Sequence, residues 1–395
     1  MDEALKQDIQ NAIEHSGFPL EHDCYGILRK HEWSIITNRF YIDDIRRIER
    51  EVDIVAYKVH VDELEKILYI TSLIISCKRS ESKTWCFLTR KADESDDNID
   101  WTPLHYCTTD KRLEYMTNSH RENVIHRYKA NNATRELYHF NENVFAYEQL
   151  REASNTNERS QKGNIIICGN DDIYNSIITS IKAVEYEKRS RTEQHKQRKY
   201  KRYYTFHILS VFDGKMVKDY IDNESNHNIE NIQEIKYLNR HIINNKDNFY
   251  IVNFVNKTNF ENIIQLFNKL HSENTRTLPK LITSFYNKIF EEDGKVQFFW
   301  KEFSESIKFQ VKKILLDNKV IKSSDEIILL YKYIKKEHTL HIGFDLPILI
   351  DNKTVLQLNE DITLREQVKS NLKKLFRYEG NVVFTDEFLF LTKMG

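Results

Sequence analysis

Glycine and proline are scarce in this 395-residue chain, with 9 Gly and 4 Pro. That scarcity excludes collagen-like, glycine-linker and proline-rich architectures. Cysteine is sparse too. Cys24, Cys77, Cys86, Cys107 and Cys168 form no CxxC pair. An odd count in a large chain does not read as a disulfide framework, and a reduced, cytoplasmic setting is expected. Long apolar runs are missing. The longest, residues 67–75 (ILYITSLII), falls far short of the roughly 20 residues of a membrane helix. It reads instead as a strand buried on both faces, so no membrane partner is expected. The opening MDEALKQDIQ is polar and acidic, which is not the pattern of a secretory signal.

Neither charge sign dominates. Lys+Arg is 59 and Asp+Glu is 60, for a net charge of -1. A histone-like polycation is excluded, and any nucleic-acid footprint must be a local patch. No GxxxxGK[ST], GxGxxG or GxSxG occurs, so the usual markers of P-loop, dinucleotide and α/β-hydrolase sites are absent. His22 and His31, like His120 and His126, do not have zinc-ligand spacing.

The chain is rich in core-forming material: hydrophobic residues are 40%, with 21 Tyr and 22 Phe. A folded protein of two domains is expected. Leu5, Ile9, Ala12 and Ile13 trace a helix over 4–15, broken at Ser16-Gly17-Phe18-Pro19. Pro19 suits the first turn of a second helix, which carries Leu20, Cys24, Ile27 and Leu28. Strands are expected at 33–41, 51–59, 67–77 and 84–88. Residues 91–162 are polar and read as an insertion with short helices, closed by a strand at 164–168. Ile173, Ile177, Ile181 and Val184 mark a helix over 171–187. Strands at 204–212 and 249–254, a turn at Asp213-Gly214 and a helix at 260–270 follow. The expected fold is thus α/β with a mixed sheet flanked by helices over 1–275. Residues 276–395 read as a separate accessory domain. It is mostly α and winged-helix-like, with helices at 280–293, 299–317 and 363–377 and a terminal hairpin at 382–391.

The chemistry-bearing stretch runs from Glu21 to Trp85. Strand side chains alternate faces. In EVDIVAYKV, Glu51, Asp53 and Val55 are expected on one face, with Val52, Ile54 and Ala56 on the other. In LIISCK, Ser76 and Lys78 share a face opposite Ile75 and Cys77. Neighbouring strands would bring Asp53 and Lys78 to one sheet edge, with Glu21 approaching from the preceding helix. Paired carboxylates hold Mg²⁺ or Mn²⁺ through oxygen, and a lysine orients an attacking water and offsets phosphate charge. This is the equipment of phosphodiester hydrolysis. Each residue also has a plainer role open to it. Glu21 suits the first turn of a helix, Glu51 an exposed strand start, and Lys78 a solvated strand end. Trp85, Cys77 and Cys86 suit core packing.

The segments GFPLE, HEWSIITNRFYID, EREVDIVAYK and LIISCKRSESKTWCF resemble the PD-(D/E)XK nuclease superfamily and, within it, the Mrr-like restriction endonucleases. The resemblance covers about 70 residues. It implies a restriction-endonuclease-like fold and metal-dependent cleavage of nucleic acid, favouring DNA, in restriction or anti-phage defence. A second copy of the chain or a defence-complex partner is also implied. Glu21 matches the family's helix glutamate, Asp53 the strand aspartate and Lys78 the lysine. Ser76 stands where the family has an acid. Three explanations are open: Glu51 supplies the missing carboxylate, the site is a degenerate binding module, or Ser76 is an introduced inactivating change.

A second feature is the basic run at 188–202, KRSRTEQHKQRKYKR. Lys188, Arg189, Arg191, Lys196, Arg198, Lys199, Lys201 and Arg202 would neutralise phosphates, beside Tyr200, Tyr203 and Tyr204 as stacking surfaces. A solvated helix end explains the same run equally well.

Overall fold

The computed structural model describes residues 1–14, 16–43, 47–154, 164–195, 198–243, 246–346 and 350–386. The chain divides into two compact units. One joins Met1–Asp110 to Thr117–Leu278, and the other joins Lys111–Met116 to Pro279–Gly395.

The larger unit begins with α1 (Glu3–Glu14), whose stripe residues Leu5, Ile9 and Ile13 are exposed. Helix α2 (Phe18–Lys30) follows, with proline in its first turn. Strands β1 (Ser34–Ile42), β2 (Glu49–Asp62) and β3 (Ile67–Lys91) form an antiparallel meander. The insertion holds β4 (Tyr106–Thr108), α3 (Lys111–Ser119), whose Lys111–Met116 belong to the smaller unit, α4 (Arg121–Lys129), α5 (Asn132–Tyr138) and β5 (Glu142–Glu152). Then come β6 (Ile165–Ile167), α6 (Asp171–His195), β7 (Lys201–Ile221), β8 (His227–Asn231), β9 (Glu234–Ile243), β10 (Lys246–Asn256) and α7 (Phe260–Thr277).

Among the described residues the main sheet has ten strands, with the central path β1-β2-β3-β7-β10-β9. β3 runs parallel to β7, and β7 parallel to β10, while the other pairs are antiparallel. Parallel neighbours need a crossover, and α6 lies within the one that joins β3 to β7. Its Ile173, Ile177, Ile181 and Val184 are fully buried in a core with Val55, Ile74, Ile208 and Tyr250. Burial of each such aliphatic side chain contributes about 1.5–3 kcal/mol. On the opposite face, Leu20, Cys24 and Leu28 of α2 and Phe260, Ile264 and Phe267 of α7 pack with Ile54, Leu73, Ile75 and Cys77. The unit is therefore a mixed sheet between two helical layers.

Several local expectations are corrected. The strands expected at 67–77 and 84–88 are one 25-residue strand, whose register with β7 shifts between Arg79 and Thr84. Asp213-Gly214 is not a turn, because β7 continues through it for 21 residues. A Cβ at Gly214 would stand 2.6 Å from the Ser80 carbonyl oxygen. Glycine is there for the close approach of β3 and β7 rather than for chain reversal. The helix read to end at residue 187 continues to His195, so the first part of the basic run is helical.

In the smaller unit, the helix expected over 280–293 breaks into α8 (Pro279–Tyr286) and a short 3₁₀ turn, with Lys288 left-handed at φ 53°. Helices α9 (Asp293–Asp317), α10 (Asn352–Glu360) and α11 (Ile362–Phe376) follow. Strands β11 (Ile328–Ile334), β12 (Thr339–Asp345) and β13 (Asn381–Phe384) form a three-stranded sheet. β13 pairs with β12 in parallel, where a terminal hairpin was expected. Residues 387–391 of that hairpin lie outside the described residues. Phe285, Phe290, Trp300, Phe303 and Phe376 are buried, and Trp300 Nε1 donates to the Leu329 carbonyl at 2.9 Å.

Candidate active site

Strands β2 and β3 part at one end of the sheet. Their pairing ends at Ile54 opposite Ile75. Just beyond, the Asp53 carboxylate crosses the gap and accepts a hydrogen bond from the Cys77 backbone N–H, Oδ2 to N 2.6 Å. Asp53 is thus held against the residue between Ser76 and Lys78.

The backbone around Asp53 is irregular. Val52 and Val55 pack in the same core cluster, while Ile54 and Ala56 pack in the other. The strict alternation expected for β2 therefore fails between Val52 and Ile54, at Asp53. Across from it, β1 pairs Thr37 with Ile54 and Arg39 with Val52, and Asn38 between them is left-handed at φ 50°. Such a residue twists the strand and re-aims side chains. The Asn38 amide donates to Glu51 Oε1 at 2.6 Å, which anchors that exposed carboxylate.

Glu21 comes from α2, next to the buried Leu20. Partial burial raises its carboxyl pKa, the charges of Asp53 and Glu51 raise it further, and Lys78 opposes them. The four groups therefore share one electrostatic environment. Mutual repulsion among carboxylates is the condition that a divalent cation relieves. Asp53 keeps Oδ1 outside its bond to Cys77, so the donor set fits a hard cation in kind. Among the described residues, however, no three His, Cys, Asp or Glu side chains are grouped so that they could hold an ion.

Ser76 is buried and sits opposite Ser210 in the parallel ladder, while the half-buried Lys78 sits opposite Phe212. Near Lys78 the structure adds a carboxylate that the sequence did not disclose. Asp172, in the first turn of α6, takes hydrogen bonds from Lys83 Nζ at 2.8 Å and Gln149 Nε2 at 2.9 Å. Burial would raise its pKa, but these bonds and the charges of Lys83 and Lys78 outweigh burial and lower it. Only its place at a helix start marked Asp172 in the sequence. The surrounding rim is mixed in charge: Lys257 pairs with Asp23 at 2.8 Å and Asp213 at 3.4 Å, and Arg79 pairs with Glu81 at 2.9 Å.

Cys77 Sγ lies 3.9 Å from Cys24 Sγ, with both side chains in the core. Trp85 is fully buried and stacks on Phe212 at 3.9 Å between centroids, and Cys86 is buried as well.

The β7 part of the basic run is not drawn to this edge, whereas Arg191 of α6 shares Glu187 with Arg39, which lies opposite Val52. Lys201 opens β7 opposite Ile67, while Lys78 lies eleven positions further along β3. At about 3.3 Å per residue the separation is about 36 Å. Lys188 pairs with Glu185 at 2.8 Å and Arg191 with Glu187 at 2.8 Å, and Arg189 sits over the Tyr186 ring. Lys199 lies 6.0 Å from the centre of the Tyr200 ring, and Arg198 is exposed. Lys196 lies outside the described residues. No family profile, curated protein or solved structure matches the chain.

Proposed function

We propose that the larger unit is a metal-dependent nuclease of the PD-(D/E)XK type, with DNA as the favoured substrate. The observation that carries this reading is the Asp53–Cys77 bond across the parting strands, with Glu21, Glu51 and Lys78 in the same electrostatic environment. The order α2-β1-β2-β3-α6-β7, with β3 parallel to β7, is the order that the sequence resemblance implies for a restriction-endonuclease-like core.

In this reading Glu21 and Asp53, helped by Glu51, hold Mg²⁺ or Mn²⁺. When bound, the ion supplies charge neutralisation and a more acidic water. Lys78 orients the attacking water and stabilises charge that develops on the phosphate. Asn38 keeps Glu51 in place, and the Cys77 N–H keeps Asp53 aimed. The smaller unit would be a winged-helix-like accessory domain, supported by its helices and three-stranded sheet. A role in restriction or anti-phage defence, with a second copy or a defence-complex partner, follows from the resemblance alone.

A second reading is favoured by Ser76 and by the lack, among the described residues, of a closed acidic cluster: a degenerate site that grips nucleic acid or a partner without cutting. The test is incubation with plasmid, linear duplex, single-stranded DNA and RNA in Mg²⁺, Mn²⁺ or EDTA, beside Lys78→Ala and Ser76→Glu. Metal-dependent cleavage that Lys78→Ala abolishes supports the nuclease. Cleavage by Ser76→Glu alone shows a framework disarmed at one position. A gel shift with no cleavage by any form supports the binding module.

A further inference from the structure

Between the sheet and the C-terminal half of α6 lies an open pocket of about 200 Å³, walled by Val55, Tyr57, Ile70, Arg191, Arg202 and Tyr204. Glu21, Glu51, Asp53, Ser76 and Lys78 do not line it, although Val55 on its wall is two positions from Asp53 along β2.

The charge of this pocket is unbalanced. Glu187 is 2% exposed and already serves two guanidinium groups, Arg39 at 3.0 Å and Arg191 at 2.8 Å. Among the described residues no ion pair neutralises Arg202, and its Nε is buried without a hydrogen-bond partner. Arginine does not discharge at any physiological pH, and the half-buried Arg202 is a cation that an anionic ligand can pair. The Tyr204 hydroxyl feels both cations: burial raises its pKa, and Arg191 and Arg202 pull it down. Arg202, together with Arg191 beside its partner Glu187, therefore lines a small cavity that Tyr57 and Tyr204 also line.

We propose that this pocket binds a phosphate monoester carried on a flat ring, as in a nucleotide. Guanidinium forks match phosphate oxygens in pairs, and tyrosine rings and guanidinium planes stack on bases. The volume admits one small group rather than a duplex. The phosphate comes from a free nucleotide or from the end of a strand. The site does not depend on the nuclease reading, because none of Glu21, Glu51, Asp53, Ser76 and Lys78 lines it.

Calorimetric titration of the full chain, without divalent metal, tests it with inorganic phosphate, adenosine 5′-monophosphate, a 5′-phosphorylated oligonucleotide and its 5′-hydroxyl twin. The variants are Arg202→Gln, Arg191→Gln and Lys78→Ala, each checked by thermal unfolding. Saturable binding of the monophosphate is expected, tighter than of inorganic phosphate. Arg202→Gln weakens it at least about tenfold, and Lys78→Ala leaves it unchanged. Preference for the phosphorylated oligonucleotide, lost in Arg202→Gln, identifies a strand end as the source, while binding of the monophosphate alone identifies a free nucleotide. If Arg202→Gln does not fold, Arg191→Gln carries the test from a different element. The proposal is overturned if no probe saturates, or if binding persists undiminished in a folded arginine variant.

Discussion

Asp53 and Cys77 are 24 positions apart in sequence, yet the Asp53 carboxylate accepts the Cys77 backbone N–H at 2.6 Å where their strands part. This bond splices two otherwise separating strands and leaves one carboxylate oxygen for other work. It gives Asp53 a structural duty and, in the proposed function, a catalytic one, and substitution can separate the two.

Asp53→Asn keeps an oxygen acceptor for Cys77 and removes the charge. Asp53→Ala removes both. A charge-assisted bond to a backbone N–H contributes about 1.5–3 kcal/mol. Urea unfolding should therefore show Asp53→Ala losing about 1–3 kcal/mol and Asp53→Asn clearly less, while any metal-dependent cleavage disappears in both. Equal stability of the two variants would remove the structural duty.

Glu21 has a raised carboxyl pKa, mainly through burial and then through Asp53 and Glu51. The sign follows from linkage. In the window above the ordinary value near 4.5, the folded state binds more protons at this group than the unfolded chain does, so stability falls as pH rises there. At neutral pH the ionised Glu21 is a cost. Glu21→Gln should raise the melting temperature without divalent metal and reduce the stabilisation that Mg²⁺ or Mn²⁺ provides. A Glu21→Gln protein that melts lower in EDTA would contradict this account.

His105 and His207 are fully enclosed, and burial pushes their pKa values down to about 3 and about 4. His105 stacks on Tyr250 with ring centres 4.3 Å apart. Both rings stay neutral in the folded protein as the unfolded chain takes up protons below about 6.5. Their contribution is intact above that value and is lost as pH falls, by about 1.4 kcal/mol per pH unit for each ring. The pH dependence of the unfolding free energy between pH 6 and 4.5 should therefore be shallower in His207→Phe than in the parent. An unchanged slope would show that His207 is not held neutral.

Gly214 lies inside β7, where an added Cβ would stand 2.6 Å from the Ser80 carbonyl oxygen and closer still to the Phe212 ring. Phe212 stacks on Trp85, so its ring cannot move away freely. Gly214→Ala should cost about 1–3 kcal/mol through overpacking, measured by urea denaturation. A neutral substitution would mean that β3 and β7 are not in close approach there.

Much of the architecture was written in local pattern. The isoleucine and valine spacing of α6, the apolar run in β3 and the helical stripe of α2 each specify an element because burial demands a face of the right period. The juxtaposition of Asp53 with the Ser76–Lys78 strand was legible from taking the two strands as neighbours, although the alternation read for β2 breaks at Asp53. Tertiary structure decided the rest. Asp213-Gly214 obeys the local rules of a turn, yet the chain stays extended because β3 and β7 pair on both sides of it and only glycine fits the approach. The face change at Asp53 coincides with the left-handed Asn38 in the opposite strand, a conformation that asparagine tolerates better than most residues but does not by itself specify. Asp172 reaches Lys83 and Arg202 joins Arg191 only once α6 is laid across the sheet. Sequence determines which segments must bury a face. The crossing of segments distant along the chain determines which charges meet, because the energy of a buried charge depends on neighbours that no local window contains.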